Sequence, residues 1–425
     1  MKTTILLEPN CFYKGHITPE SSSAFDISAA IKNEMGRLMD NIRVIGCDGT
    51  NTNVGRKKGI IVKLENSTAR PLQWSICLLH MNELPLRHLV KKLDGVTGGP
   101  TNFTGPLGKM LSEVVSMPVV KFEPVPSEDL CVDTENLSTD QRYLLKMYNA
   151  VKEGVLDESL SSSDPGNLSH ARWLTSANRF LRLYVATPNP SENLTKIINY
   201  IMKCYVPTWF SIKAEESIFK GSKHLFGLIQ RCQNVDSETK EIVRPVIQRN
   251  SFFAHSECVL LSMLNDLDCN LRKLACARIR KARNSITNNS MDRRVYELPV
   301  VNFDATSYID MISWRKDDKN DANGTLLADY TDPPILSGYS MDEIDDMADK
   351  RNIPEELYSL PCHNQKVERA IKLVSETSNK ATDKMEREGI IRNVLASREE
   401  MPKCDTKKHL RVKWNFPESS SKVDC

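Results

Sequence analysis

The pattern of apolar and polar positions divides the chain into an alternating part and a helical part. Up to about residue 110, short apolar runs alternate with segments in which apolar residues follow helical spacing. The predicted strands are residues 4–7, 42–47 and 74–79, and the predicted helices are residues 26–39, 54–65 and 84–93. This alternation is typical of a partly parallel sheet covered by helices. Ser23 or Asp26 is expected to cap the first helix, and Pro85 is expected in the first turn of the third.

The remainder of the chain is predicted to be mostly helical. Apolar stripes at helical spacing run through residues 138–283 and return at residues 363–378 and 383–397. Residues 284–360 are polar and contain Asp-, Gly- and Pro-rich pieces, which favours a linker. The predicted organisation is an α/β part (1–120), a connector (121–137), a helical region (138–290), an irregular linker (291–360), C-terminal helices (361–412) and a disordered tail (413–425).

Composition indicates an intracellular protein and argues against a zinc-finger protein and a membrane protein. Lys and Arg total 57 against 55 Asp and Glu, so nucleic-acid binding would depend on local basic patches. The 12 cysteines are scattered singly, without a CxxC pair or zinc-finger spacing, which indicates reduced thiols in the cytosol or nucleus and no zinc site. No apolar stretch has the length of a membrane span, and the N-terminus lacks a signal-peptide pattern, so we expect no membrane association.

Asp48 is the first candidate for chemistry. It ends the predicted strand of residues 42–47 and is followed by the flexible sequence Gly-Thr-Asn-Thr-Asn. The C-terminal edge of a sheet is where α/β proteins keep their chemistry, and a carboxylate there can bind a hard cation such as Mg²⁺. The alternative is an ordinary turn, because Asp-Gly and Asn are common turn formers.

Cys77 and His80 form a second candidate, at the junction of a predicted strand and the helix after it. A zinc site would need four ligands, and the other close pair of this kind is Cys362 and His363. The alternative is a structural turn, in which Cys77 packs and His80 is hydrogen-bonded.

Three further features could bind nucleic acid or metal. Trp173 follows Arg172 at the start of a helix that also carries Arg179, so a ring and guanidinium could contact a base and a phosphate together. A basic stretch without acidic residues comprises Arg272, Lys273, Arg278, Arg280, Lys281 and Arg283. Glu368 lies beside the apolar seam of a C-terminal helix and could supply a distant carboxylate. For Trp173, the alternative is a ring buried between helices with Arg172 in a salt bridge. For the basic stretch it is the solvated face of a helix, and for Glu368 it is a surface Glu-Arg pair.

The combination resembles the hAT superfamily of DNA transposases. Five segments carry the resemblance, in this order: GCDGTNTNVG, RPLQWSICLLHMNELPLRHL, HARWLTSANRFLRLYV, PVIQRNSFFAH and PCHNQKVERAIKLV. They look like a large set of transposon-derived animal proteins with the same layout. The resemblance covers about residues 5–412.

The resemblance implies a ribonuclease H-like α/β core interrupted by a large all-α insertion. Enzymes of this family hold two Mg²⁺ ions with two aspartates and a glutamate during DNA cleavage and strand transfer. Asp48 matches the second acid and Glu368 the third, whereas Trp173, after Arg172, matches a tryptophan that stacks near the DNA end. Cys77 and His80 match the family's CxxH pair, and the basic residues 272–283 would lie in the insertion. The resemblance also implies DNA as the partner and the nucleus as the location.

The chain departs from the family pattern at its start. In the family the first acid lies on a strand upstream of residues 4–7, and neither Glu8 nor Asp26 fits that position. We therefore expect an N-terminally incomplete core and a transposase-derived protein that binds DNA but lacks independent cleavage. One alternative is a non-catalytic helical protein that mediates interaction or homo-oligomerisation. Another is an active metal-dependent nuclease completed by a different carboxylate.

Overall fold

The structure is a computed structural model, and it describes residues 3–8, 12–97, 102–135, 137–166, 173–285, 298–315, 328–378 and 383–400. The strands are β1 (Thr3–Leu7), β2 (Phe12–Ile17), β3 (Val44–Cys47) and β4 (Gln73–Ile76). The helices of the first part are α1 (Ala24–Met35), α2 (Asn51–Val54), α3 (Ile60–Thr68), α4 (Leu78–Leu93) and α5 (Pro106–Met110). Predicted strands 4–7, 42–47 and 74–79 therefore correspond to β1, β3 and β4, whereas β2 was not predicted.

The later helices make the chain mostly helical, as expected. They are α6 (Thr139–Glu153), α7 (Glu158–Ser161), α8 (Trp173–Tyr184), α9 (Glu192–Tyr200), α10 (Val206–Ala214), α11 (Gly221–Arg231), α12 (Ser237–Gln248), α13 (Ser256–Leu264), α14 (Cys269–Ser285), α15 (Met341–Lys350), α16 (Glu355–Tyr358), α17 (Gln365–Ser378) and α18 (Lys384–Glu400). Within the described ranges, no helix is long and apolar enough to cross a membrane.

The strands form two separate pairs. β1 and β2 make an antiparallel hairpin, whereas β3 and β4 run parallel, with Val44 opposite Gln73 and Cys47 opposite Ile76. Every residue of β4 is buried, but β3 is only partly buried. The predicted parallel pairing is therefore present, on a small scale.

Local sequence explains where the helices of the α/β part begin and end. The Ser23 hydroxyl accepts a hydrogen bond from the backbone N–H of Asp26, so Ser23 is the cap of α1. The predicted helix 54–65 is instead two helices, because the backbone of Gly59 passes against Gly55 and donates to its carbonyl at 2.7 Å. A Cβ atom on Gly59 would lie only 2.5 Å from the Gly55 nitrogen, so this turn requires glycine.

α4 is longer than its sequence pattern predicted. It begins at Leu78, directly after Cys77, and Pro85 lies inside the helix rather than in its first turn. The expectation for Pro85 was wrong because a buried apolar face extends the helix towards the sheet. Leu78, Leu79, Leu86 and Leu89 are all almost fully buried on that face.

Residues 298–315 and 328–360 belong to the helical core, which corrects the prediction of an irregular linker over 291–360. Met311, Leu336 and Ile344 are fully buried in the same cluster as the large side chains of α6, α8 and α10. The polar composition of this region reflects its outer surface, including the acidic residues of α15. Residues 286–297, 316–327 and the predicted tail 413–425 lie outside the described residues.

Candidate functional site

The carboxyl end of β3 places Asp48 at the sheet edge, as the sequence predicted. Its Oδ1 accepts hydrogen bonds from the backbone N–H of Thr50 at 3.0 Å and from the side-chain amide of Asn53 at 2.7 Å. These bonds fold the loop back on itself at the start of α2. These contacts agree with the alternative interpretation, in which Asp48 is a turn residue.

The C-terminal motif meets the end of the neighbouring strand. The Ser75 hydroxyl donates to the Pro361 carbonyl at 2.8 Å, and the backbone N–H of Asn364 donates to the Cys77 sulphur at 3.5 Å. Residues 361–364 lead directly into α17, which carries Glu368 in its first turn. Sequence segments nearly 300 positions apart are thus joined at the carboxyl ends of the two parallel strands.

His80 also lies beside this edge. A Cβ atom placed on Gly49 would be 3.7 Å from the His80 ring and 3.8 Å from Asn250 Oδ1. The loop after β3 therefore contacts both the first turns of α4 and the end of α12. The CxxH pair forms a strand-to-helix junction, with Cys77 buried as the cap residue of α4.

The contacts of Asp48 at this edge are made within its own loop. Asp48 Oδ1 is occupied by its own loop, and the described residues include no group of three or more His, Cys, Asp or Glu side chains able to hold a metal ion. The Mg²⁺ pair that the resemblance implies for Asp48 and Glu368 therefore stays a prediction.

Cys362 and His363 are buried, in surroundings that indicate a structural role. Burial raises the pKa of the Cys362 thiol, which disfavours the thiolate that a metal or an electrophile would need. His363 Nε2 lies 3.4 Å from Glu216 Oε1. Burial alone would raise the pKa of Glu216, but the neighbouring His363 and Lys213 outweigh it and lower this pKa to about 2. This ionised carboxylate helps to hold the segment that precedes α17.

Trp173 lies in the core of the helical region. Its side chain is only 4% exposed and meets the ring of Phe103 edge-on at 6.0 Å. Arg179 donates to the carbonyls of Gly166 and Leu111 and is almost fully buried. The expected stacking of Trp173 does not fit its buried position, and the Arg179 guanidinium is already bonded to backbone carbonyls and lies 3.8 Å from Asp164 Oδ1. Arg172 lies outside the described residues.

Half of the basic residues of α14 face inward. Arg272 is buried and donates to the carbonyls of Asp266, Leu267 and Ala348. Arg283 forms two 3.1 Å hydrogen bonds with Asp332 and also donates to backbone carbonyls. The Arg278 guanidinium lies 4.1 Å above the Trp314 ring. Arg278 and Arg283 thus connect α14 to residues 314–339, and Arg272 connects it to α15.

The exposed half of the same stretch faces an acidic helix. Five of the 10 residues of α15 are Asp or Glu. Arg280 pairs with Asp345 of α15, and Lys273 shares a shallow depression with Asp345 and Asp349. Lys281 lies over the ring of Tyr330. The isolated basic patch expected from the sequence is therefore largely compensated.

A different group of cations, which sequence reasoning missed, lies between α4 and α12. Arg249 Nη2 donates to His88 Nε2 at 3.1 Å, since a guanidinium can only donate. Burial and the charges of Arg249, Lys91 and Arg87 lower the pKa of His88. None of the ion pairs between described residues involves Arg87, Lys91 or Arg249. The helical spacing of residues 87, 88 and 91 was a signal in the sequence, but Arg249 is distant along the chain.

Comparisons with protein-family models, with curated proteins and with solved structures gave no match.

Proposed function

We propose that this chain is a transposase-derived protein with a ribonuclease H-like core, and that it binds DNA without cleaving it on its own. The observation that carries the proposal is the meeting of distant motifs at one sheet edge. Asp48 follows β3, Cys77 follows β4, and residues 361–364 contact that second junction before entering α17. The resemblance predicts that these segments lie close together, so the contact between residues 75–77 and 361–364 supports the proposal.

The contacts of Asp48 support a loss of independent cleavage. A carboxylate that binds catalytic metal needs its oxygens turned towards the ion. Here one oxygen accepts two hydrogen bonds from its own loop, so the aspartate has a role in shaping the turn. The inherited residue can thus persist as a structural one.

Two assays on the full chain test the proposal. Duplex DNA binding should be measurable at low salt, and its association constant should fall linearly with salt concentration on logarithmic axes. Incubation of the same DNA with Mg²⁺ or Mn²⁺ should leave it uncut. Absence of binding even at low ionic strength contradicts DNA as the partner.

The Asp48→Asn variant tests the proposal that the chain does not cleave DNA on its own. Asparagine keeps a side-chain oxygen that can accept from Thr50 and Asn53, so folding and DNA binding should be preserved. Metal-dependent cleavage by the natural chain that disappears in Asp48→Asn would contradict the proposal and favour an active nuclease.

A further inference from the structure

We propose that the cations shared by α4 and α12 form the DNA-contacting surface of this protein, and that they bind the phosphates of a duplex. This surface, called the α4–α12 surface below, consists of Arg87, His88, Lys91 and Arg249. The inference rests on the proposed DNA-binding function and assigns it a place on the molecule.

Its geometry is that of one accessible helix face. Leu86, Leu89 and Val90 are buried on the opposite side of α4, whereas Arg87 and His88 are half-buried and Lys91 is exposed. Positions 87 and 91 are one turn apart, about 6 Å along the axis at 1.5 Å per residue. Arg249, exposed at the end of α12, brings a third permanent charge to the same place.

Within the described ranges, no carboxylate forms an ion pair with Arg87, Lys91 or Arg249. The groups that act on His88 are Arg87 and Lys91 from its own helix and Arg249 from α12, and all three are cations. Like charges held together cost free energy unless an anion neutralises them. A run of phosphates removes that cost and releases condensed counterions, which favours binding.

Its location supports the assignment. Asn250, next to Arg249, touches the same Gly49 loop as His80. The α4–α12 surface is therefore continuous with the sheet edge where Asp48, Cys77 and the C-terminal motif meet.

The composition of the surface favours a duplex over a single strand. Proteins that hold single strands usually stack bases on aromatic side chains. α4 contains no Phe, Tyr or Trp. Cations without stacking rings suit a regular phosphate backbone, which duplex DNA presents on its outside.

The test compares two triple variants in a salt-titrated binding assay with one duplex. Arg87→Ala, Lys91→Ala and Arg249→Ala together should weaken binding about 10- to 100-fold at low salt and reduce the logarithmic salt slope by about 3, roughly one unit for each lost phosphate contact. The matched control combines Lys273→Ala, Arg280→Ala and Lys281→Ala. It should change affinity less than about threefold, because Lys273 and Arg280 lie beside the acidic α15 and Lys281 lies over the Tyr330 ring.

The outcomes separate the two proposals. If the natural chain binds the duplex but only the control variant in α14 weakens binding, the assignment to the α4–α12 surface is wrong, whereas the proposal of DNA binding stands. If the natural chain does not bind at all, the proposed function itself fails. Binding at least tenfold tighter to a single-stranded RNA of equal length would overturn the choice of duplex DNA.

Thermal unfolding monitors whether the variants fold. If the variant with Arg87→Ala, Lys91→Ala and Arg249→Ala is destabilised, Lys91→Ala alone provides the test, since this side chain is exposed. The single substitution should lower the logarithmic salt slope by about one. Arg249→Lys, which keeps the charge, should restore most of the affinity lost in Arg249→Ala. Failure of the lysine to restore binding would contradict a phosphate contact.

Discussion

The two cationic regions of this molecule, α14 and the α4–α12 surface, differ in a way that their sequences conceal. α14 has the denser run of basic residues, yet its arginines bind carbonyls, Asp332 and an aromatic ring, and an acidic helix faces the remainder. The α4–α12 surface has fewer cations, but they face one another without carboxylate partners among the described residues. A run of basic residues in the sequence therefore indicates only a local concentration of charge. DNA binding, in our proposal, depends on the charges that no carboxylate neutralises in the folded protein.

The largest expected effect concerns stability and would confirm that α14 is structural. Arg283→Ala leaves Asp332 and the carbonyls of Leu336 and Tyr339 without their donor. Because Asp332 is largely buried, the free energy of unfolding should fall by about 2–4 kcal/mol. Urea unfolding followed by circular dichroism measures it. Lys273→Ala, at an exposed position of the same helix, should change it by less than about 0.5 kcal/mol.

Equal stability of these two variants would show that the inward contacts of α14 contribute little. The contrast between the two regions would then lose its energetic basis, even if the contacts themselves are present.

A smaller effect is a pH dependence specific to the α4–α12 surface. Burial and three neighbouring cations lower the pKa of His88, so its ring is neutral at pH 7.5 in the free protein. A bound phosphate favours the imidazolium and raises this pKa, so DNA binding takes up a proton. Affinity should therefore increase as pH falls from about 7.5 to 5.5, by up to about tenfold for a one-unit difference in pKa.

Fluorescence anisotropy at several pH values measures this dependence, with His88→Gln as the comparison. Glutamine can still accept a hydrogen bond from Arg249 but cannot titrate. The variant should bind like the natural chain at pH 7.5 and show a flatter profile below it. Identical profiles for the two proteins would place His88 away from the phosphates.

The smallest effect tests whether α15 neutralises α14. Asp345→Asn with Asp349→Asn removes two negative charges next to Arg280 and Lys273. Affinity for DNA should rise about two- to threefold at low salt and return to the natural value in about 0.3 M salt, because exposed charges are screened. Glu153→Gln with Glu158→Gln, exposed on α6 and α7, should leave affinity unchanged. A rise of tenfold or more would instead make α14 a second DNA site.

Much of the local structure could be predicted from the sequence. The strand of residues 42–47 and the cap at Ser23 followed from an apolar run and a short polar side chain. Pro85 misplaced the start of α4 because burial of the preceding turns outweighed its propensity. β2 was missed because its pattern is interrupted by Lys14 and Gly15, and because its support is long-range: it pairs with β1, and Tyr13 packs with Val374 and Ile391.

The site was less predictable, since its decisive contacts are long-range. Asp48 could be placed at a sheet edge from the sequence alone, but its hydrogen-bond partners could not. The pairing of Arg280 with Asp345 and of Arg249 with His88 joins residues that are 65 and 161 positions apart. Only the fold determines which cations meet a carboxylate and which do not.

The most direct measurement is hydrogen–deuterium exchange of the natural chain with and without duplex DNA. We expect slower exchange on binding in peptides that cover the second half of α4 and the end of α12, and unchanged exchange in α14. Slower exchange in α14, with α4 and α12 unaffected, would contradict it.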